Sequence, residues 1–281
     1  MDAIPNDLTA FGSYAPHGLV AAILAATRRC PHSWAGRRRA FFLRSIAVRS
    51  LRGRPLDVES LGARMRLYPY KNVCEKRILF TPQFFDADER ALLASRIGPE
   101  FTFIDVGANI GGYTMFVAGL AGPRARILAI EPQPDIFERL VYNIRQNPFA
   151  TVKALDCAVA DRECEITLFV HPRNRGETSM RLVHADAADH MKVAAKPLRA
   201  ILEQEDFPRI DAIKLDVEGA GEIILDPFFR EAPERLWPKL LITEIAGAEA
   251  LRALLVERGY RETLRTAGNL ILERAGDGGR G

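Results

Sequence analysis

The chain has 281 residues, of which 48% are hydrophobic and 27% charged, which is the balance of a globular protein with a sizeable core. Its formal net charge of +3 is too small to require a polyanionic partner. The four cysteines are scattered, without a C-x-x-C pair or a histidine at ligand spacing, so the sequence predicts neither a disulfide framework nor a metal site.

The N-terminal segment is basic. Residues 1–66 contain eleven arginines, no lysine and four acids. Such a segment can bind nucleic acid or an anionic membrane surface, or it can form a solvated helix face beside an acidic domain. Its apolar run at residues 19–26 is too short to cross a bilayer. The residues before this run include acids and no basic residue, whereas a signal peptide begins with basic residues. We therefore expect a cytoplasmic protein without a membrane span.

The elements before the main domain are predicted to be helices and a hairpin. Helices are expected at residues 19–27 and 37–51, the second amphipathic, then extended segments at 63–68 and 77–80, and a helix at 87–96. Phe41, Phe42 and Ile46 would be exposed on an isolated helix, so we expect this third of the chain to dock beside the substrate cleft. We divide the chain into a basic helical extension (1–55), a hairpin and helix lead-in (56–97), a main domain (98–275) and a tail (276–281).

Strands and helices alternate along the main domain. Strands are predicted at residues 101–106, 126–130, 152–159, 165–170, 210–215 and 240–245. Helices are predicted at 111–120, 134–146, 198–204 and 249–258, and two short strands at 260–264 and 269–272 close the domain. This alternation predicts an α/β fold, a doubly wound, Rossmann-like sheet with an antiparallel closing strand.

A glycine turn (residues 107–111) follows the first strand of this domain and leads into a helix. Its glycines allow a ligand to approach the backbone, and the helix N-terminus supplies free N–H groups. Asp105, just before the turn, would repel a pyrophosphate but suits a ligand with an ammonium group, such as S-adenosylmethionine. The candidate cofactor-binding residues here are Asp105, Gly107, Ala108, Asn109, Gly111 and Tyr113.

Glu131 ends the second strand, 26 residues after Asp105. An acid at this position can accept hydrogen bonds from both ribose hydroxyls, or it can be an exposed acid at the start of the next helix; we prefer ribose binding. The further candidate cofactor residues are Pro132, Asp156, Cys157 and Ala158.

Candidate catalytic residues follow the fourth strand and lie in a polar loop. Asp216 and Glu218 come where that strand ends, so either can bind the cofactor ammonium, accept a substrate proton or cap the next helix. Lys214 shares a face with Asp216 and can pair with it. Residues 171–190 contain three histidines and form the expected acceptor region, with His171 as a candidate base.

Several motifs in order resemble the FkbM family of methyltransferases. They are FIDVGANIGGYT (103–114), IEP (130–132), AVAD (158–161), TSM (178–180), IKLDVEG (213–219) and LITE (241–244), with NVCEKR (72–77) and FFD (84–86) upstream. The resemblance covers about residues 65–250. It implies a class I methyltransferase fold and S-adenosylmethionine as cofactor.

The leading functional hypothesis is O-methylation of a hydroxyl on a sugar, polysaccharide precursor or small metabolite, because the family is tied to such pathways. An RNA or protein methyltransferase is the first alternative, suggested by the arginines. A nicotinamide-dependent oxidoreductase is an alternative of another class, against which Asp105 and the closing strands argue. An inactive binding module ranks last, since the cofactor residues look intact.

Overall fold

The computed structural model describes residues 8–70, 72–170, 178–179, 190–217 and 219–275. Its elements before the main sheet are α1 (Gly18–Arg28), α2 (Trp34–Leu51), β1 (Leu56–Ser60), β2 (Ala63–Leu67), α3 (Val73–Phe80) and α4 (Ala87–Ala94). The helices predicted at residues 19–27, 37–51 and 87–96 are confirmed. β1 and β2 form an antiparallel hairpin.

One element of this region was predicted wrongly. Residues 77–80, expected to be extended, lie in helix α3. The helix begins after Asn72, whose side chain accepts a hydrogen bond from the Glu75 N–H at 3.1 Å and so caps the first turn. A run of four residues is too short to reveal a helical period.

The main domain contains, in chain order, β3 (Thr102–Val106), α5 (Gly112–Leu120), β4 (Arg126–Ile130), α6 (Pro134–Arg145), β5 (Val152–Leu155), β6 (Ala158–Ala160), β7 (Cys164–Val170), β8 (Thr178–Ser179), β9 (His190–Pro197), α7 (Leu198–Gln204), β10 (Ala212–Leu215), α8 (Gly221–Glu231), β11 (Leu240–Glu244), α9 (Glu249–Glu257), β12 (Tyr260–Arg265) and β13 (Asn269–Arg274). Seven of these strands form one sheet in the order β12-β13-β11-β10-β3-β4-β5. From β11 to β5 the strands are parallel, and β13 runs antiparallel to both of its neighbours. The predicted doubly wound α/β sheet with antiparallel closing strands is confirmed.

The chain enters this sheet at its centre, which positions the site. It starts at β3, winds outward to β5, and then returns to β10 on the other side of β3. In doubly wound folds ligands bind outside the carboxyl ends of the strands at this reversal point. The glycine turn after β3 and Asp216 after β10 both lie there.

A second sheet was not predicted. It has the order β6-β9-β7-β8, and β7 and β9 form an antiparallel pair. The strand expected at residues 152–159 is therefore two strands, β5 and β6, which belong to different sheets. Pattern alone cannot separate consecutive apolar strands whose partners differ.

Residues before the main sheet complete its core. Phe103 and Ile127 on one face pack in the same buried cluster as Ile23, Leu67 and Ile78. The opposite face packs against α7, α8 and α9. Side chains alternate between the faces of a strand, so both faces of each central strand are covered. The first third of the chain thus supplies one of the two layers that bury the sheet.

A buried ion pair ties the N-terminal chain to the hairpin. The Arg66 Nε atom lies 2.7 Å from Asp57 Oδ1, and both side chains are 1% exposed. Asp57 Oδ2 also accepts hydrogen bonds from the N–H groups of Gly12 and Tyr14 at 2.8 and 3.0 Å. Both charges are paired and hydrogen-bonded, which is the condition under which charges are tolerated in a core.

The outward side of α2 differs from the prediction. Ile46 packs against the core, but Phe41 and Phe42 are 47% and 67% exposed. The expectation that these two phenylalanines are covered when this third of the chain docks beside the cleft is wrong, because α2 faces the protein with smaller residues, including Ala40 and Ala47. In the described part of the chain, no helix is both long and apolar enough to cross a bilayer.

Candidate active site

The glycine turn requires glycine at two positions. Gly107 and Gly111 have φ angles of +74° and +94°, which residues with a Cβ rarely adopt. A Cβ on Gly107 would also lie 2.1 Å from the backbone oxygen of Asp216. The N–H groups of Gly107 and Ala108 donate to the Ile130 carbonyl at 2.9 and 3.0 Å. The turn is therefore packed between the ends of β10 and β4.

Asp105 is buried beneath this turn and is 1% exposed. Its Oδ2 atom accepts hydrogen bonds from the Thr114 N–H (3.0 Å) and hydroxyl (2.6 Å). Asp105 also lies opposite Lys214 in the register of β3 and β10. Burial raises the pKa of Asp105, while Lys214 and Thr114 oppose that rise. The carboxylate thus fixes the start of α5, and its contact with a ligand ammonium group stays a prediction.

Glu131 closes the other side of the turn. Its two carboxylate oxygens each accept a backbone hydrogen bond at 2.9 Å, one from Asn109 and one from Gln133. The residue is 6% exposed, and burial raises its pKa to about 7. Each oxygen retains a lone pair that can accept a ribose hydroxyl. This carboxylate holds the turn in place, so it is more than an exposed acid at the start of α6.

The surrounding residues fit a nucleoside. The Gln133 side chain is 1% exposed, and its Nε2 atom has no hydrogen-bond partner. An unpaired buried donor beside an ionisable acid suits a ligand rich in acceptors. Of the other predicted cofactor residues, Cys157 and Ala158 are buried, Pro132 is half-buried and Asp156 is exposed.

Residues upstream of the main sheet support the glycine turn. The Asn72 side-chain amide donates to Asn109 Oδ1 at 3.1 Å, and Asn109 itself has a φ of +52°. Glu75 is fully buried and pairs with Arg139 of α6 at 2.7 Å. These contacts join α3 to both the turn and α6, so the lead-in segment helps to position the turn.

A cavity opens at the carboxyl ends of β10 and β11, and we call it the strand-end pocket. Its volume is about 630 Å³. The lining comes from the strand ends (Lys214, Asp216 and Glu244), from the turn at residues 265–269, and from segments before the main sheet.

Three ionisable side chains of the strand-end pocket form one cluster. The Lys214 Nζ atom lies 2.7 Å from Asp216 Oδ2, so the two side chains form the ion pair that their shared strand face allows. Burial alone would raise the pKa of Asp216, but Lys214 and a hydrogen bond with Glu244 hold it below its usual range. Burial alone would lower the pKa of Lys214, yet the neighbouring carboxylates raise it. Asp216 is thus an ionised carboxylate facing the pocket, with 39% of its side chain exposed.

The pocket wall contributed by the N-terminal third includes His32, Arg37 and Arg77. Arg77 pairs with Asp86 at 2.7 Å. Tyr113, predicted to bind the cofactor, is buried, and its hydroxyl donates to Asp86 at 3.2 Å. It therefore lies on the side of α5 that faces this pocket.

Two candidate catalytic residues, His171 and Glu218, lie outside the residues that the structure describes. Most of the predicted acceptor loop, residues 171–177 and 180–189, lies outside them as well. Sequence reasoning overlooked Glu244, His32 and Arg37. Glu244 could have been identified, because it lies at the end of a predicted strand, where ligands bind in this fold. No local sequence pattern places His32 or Arg37 beside β10.

Cofactor affinity should depend on pH through Glu131. Hydrogen bonds from ribose hydroxyls favour the ionised carboxylate, so binding should lower a pKa that stands at about 7 in the free protein. We expect affinity for S-adenosylhomocysteine to rise by up to roughly tenfold per pH unit between about pH 5.5 and 7, with release of up to one proton, and then to level off. Titration calorimetry in buffers of different ionisation enthalpy measures both quantities.

The same pKa gives a stability effect of opposite sign. A folded-state pKa raised above its ordinary value of 4.5 means that Glu131 stabilises the free protein below about pH 4.5, and this contribution is lost as pH rises through about 7. Glu131→Gln should abolish the pH dependence of affinity, and Glu138→Gln, an exposed position on α6, should leave it unchanged. A pH-independent affinity in the unaltered protein would contradict the assignment of Glu131 to the ribose.

The sheet order with its antiparallel closing strands, the glycine turn and the acids at the ends of β3 and β4 define a class I methyltransferase. A family model described as the methyltransferase FkbM domain matches residues 105–262. The methyltransferase sdnD of Sordaria araneosa is 26% identical over 232 residues, which cover 64% of this chain and 89% of that protein. The chain belongs to the FkbM family and is an S-adenosylmethionine-dependent methyltransferase.

Two solved structures are also similar. A precorrin-6y C5,15-methyltransferase from Geobacter metallireducens is 14% identical, with a TM-score of 0.40 over 66% of this chain and 89% of that one. An O-methyltransferase from Thermotoga maritima is 13% identical, with a TM-score of 0.40 over 67% of this chain and 65% of that one.

Proposed function

We propose that this enzyme methylates a hydroxyl group of a sugar, a polysaccharide precursor or another small polar metabolite. The strand-end pocket is the observation that carries the proposal. Its volume of about 630 Å³ lies within the range of roughly 300–1,000 Å³ typical of small-molecule sites. Its lining combines carboxylates and guanidinium groups with the side chains of Thr266 and Asn269. Such a lining both donates and accepts hydrogen bonds, as recognition of a polyol requires.

The protein has two tasks in this reaction. S-adenosylmethionine, when bound, supplies a methyl group carried on a positively charged sulfur. That sulfur is the leaving group, and it needs no acid assistance. The protein must hold the acceptor hydroxyl in line, which can contribute about 7–11 kcal/mol, and must accept its proton. Glu131 and the backbone of the glycine turn at Gly107 would hold the nucleoside on one side of β3, and the acceptor would enter from the strand-end pocket on the other.

Asp216 is the proposed base. It is the carboxylate at the reversal point of the sheet, between the glycine turn and the strand-end pocket. Its lowered pKa makes it a weak base, but a hydroxyl becomes strongly acidic as its oxygen is alkylated, so a weak base can accept the proton late in the step. Lys214 and Glu244 fix the direction of its side chain. His171 and Glu218 remain proposed alternatives for this role.

Transfer of a labelled methyl group tests the proposal. The pure enzyme is incubated with S-adenosylmethionine labelled in its methyl group and with separated fractions of nucleotide sugars, polysaccharide, small metabolites, RNA and protein. We expect label in a saccharide or small-molecule fraction, in an ether that survives mild alkali. Label in RNA or protein would overturn the proposed acceptor.

We also propose a cytoplasmic location, which the four free cysteines support.

A further inference from the structure

The outer face of α2 combines exposed aromatic side chains with arginines. Trp34, Phe41 and Phe42 are 73%, 47% and 67% exposed. On a helical projection of 100° per residue, these three lie on one face together with Arg38 and Arg49. Large exposed apolar side chains grouped on one helix face indicate an interaction surface.

The charge of the surrounding segment is of one sign. Between Asp7 and Asp57 the sequence contains nine arginines and no acid. No arginine of α2 forms a salt bridge with a residue that the structure describes. Arg38 and Arg44 instead stack on aromatic rings of the same helix, with their guanidinium carbons 4.8 and 4.7 Å from the ring centroids of Trp34 and Phe41. The positive charge of this face is therefore available to an anionic partner.

We propose that this face, formed by Trp34, Arg38, Phe41, Phe42 and Arg49, docks on an anionic lipid surface. Helices that lie in a membrane interface have this composition, with aromatic side chains that enter the headgroup layer and arginines that attract acidic lipids. The face is the outer surface of a helix whose other side packs on the protein, so it can lie flat on a membrane. The enzyme would thus attach peripherally, without a membrane-spanning segment.

The docking face adjoins the strand-end pocket. Arg37, one residue from Arg38, lines that pocket, as does His32 just before α2. Docking would therefore bring this wall of the pocket close to the lipid headgroups. If the proposed function holds, an acceptor hydroxyl carried on a lipid lies within reach. The docking itself does not depend on the identity of the acceptor, so vesicle binding and methyl transfer can fail independently.

Co-sedimentation of the full chain with vesicles tests the proposal. We expect binding to vesicles that contain phosphatidylglycerol, weak binding to phosphatidylcholine alone, and a blue shift of Trp34 emission on binding. The second tryptophan, Trp237, packs on Phe229 with ring centroids 4.9 Å apart and should give a constant background. Trp34→Phe should remove the shift.

Paired variants separate the apolar and charged contributions. Arg38→Ser with Arg49→Ser should weaken binding by roughly 25-fold, about fivefold for each arginine. Trp34→Ser with Phe42→Ser should abolish binding to the anionic vesicles at moderate salt, because the aromatic side chains that enter the headgroup layer are lost. The matched controls are Arg145→Ser and Val256→Ser, two exposed positions elsewhere, which should bind like the unaltered protein.

Three results would overturn the proposal. They are equal binding to neutral and anionic vesicles, absence of vesicle binding, and unchanged binding in the paired variants. Binding of a single-stranded RNA oligonucleotide that these variants lose, without vesicle binding, would assign the face to nucleic acid instead.

Discussion

Gly107→Ala should prevent formation of the native protein. The substitution places a Cβ 2.1 Å from the Asp216 carbonyl oxygen and imposes a φ of +74° on an alanine. Neither partner can yield easily, because Asp216 donates its own N–H to Val106 and the turn is bonded to Ile130. We expect a loss of more than about 4 kcal/mol, seen as insoluble protein or as a missing cooperative transition in thermal denaturation.

Gly259→Ala is the matched control for this prediction. Gly259 has a φ of +83°, but a Cβ there would meet nothing within 4 Å. It therefore measures backbone strain alone, which typically costs about 1–2 kcal/mol. Equal and small losses of stability in the two variants would show that the close approach of the glycine turn to β10 is unimportant.

Asp216→Asn should lower kcat by roughly 10²- to 10⁴-fold, the usual contribution of a general base. The amide cannot accept the hydroxyl proton as a carboxylate does, and it removes the negative charge that lies 2.7 Å from the Lys214 ammonium. Turnover measured with the acceptor found by label transfer, together with calorimetric affinity for S-adenosylhomocysteine, separates loss of chemistry from loss of cofactor binding.

Asp88→Asn is the control for Asp216→Asn. Asp88 also lines the strand-end pocket but is exposed on α4. It should retain kcat within a few-fold. Full activity in Asp216→Asn would assign the proton to another group, with Glu218 and His171 as the next variants to test.

The cofactor side of the site could be predicted because its signals are local. A buried strand, a glycine turn and a helix start fall within twelve residues, and Glu131 follows at the end of the next strand. Alternation of strands and helices then fixes a parallel sheet, and a parallel sheet places these strand ends at one edge. The same reasoning placed Lys214 beside Asp216, because side chains two residues apart on a strand share a face.

The acceptor side could not be predicted because it depends on contacts between distant segments. His32 and Arg37 reach the strand-end pocket only because the N-terminal helices pack on the sheet, and nothing in their local sequence encodes that position. Glu75 and Arg139 form a buried pair across 64 residues of chain. The split of residues 152–159 between two sheets depends on β9, which pairs with β6 from more than 30 residues away.

The central claim is that the glycine turn and Glu131 bind S-adenosylmethionine and not a dinucleotide. Titration calorimetry of the full chain with S-adenosylhomocysteine and with NAD tests it most directly. We predict saturable binding of S-adenosylhomocysteine, none of NAD, and an affinity roughly 10- to 150-fold weaker in Glu131→Gln, for loss of a charged hydrogen bond. Binding of NAD without binding of S-adenosylhomocysteine would contradict the account.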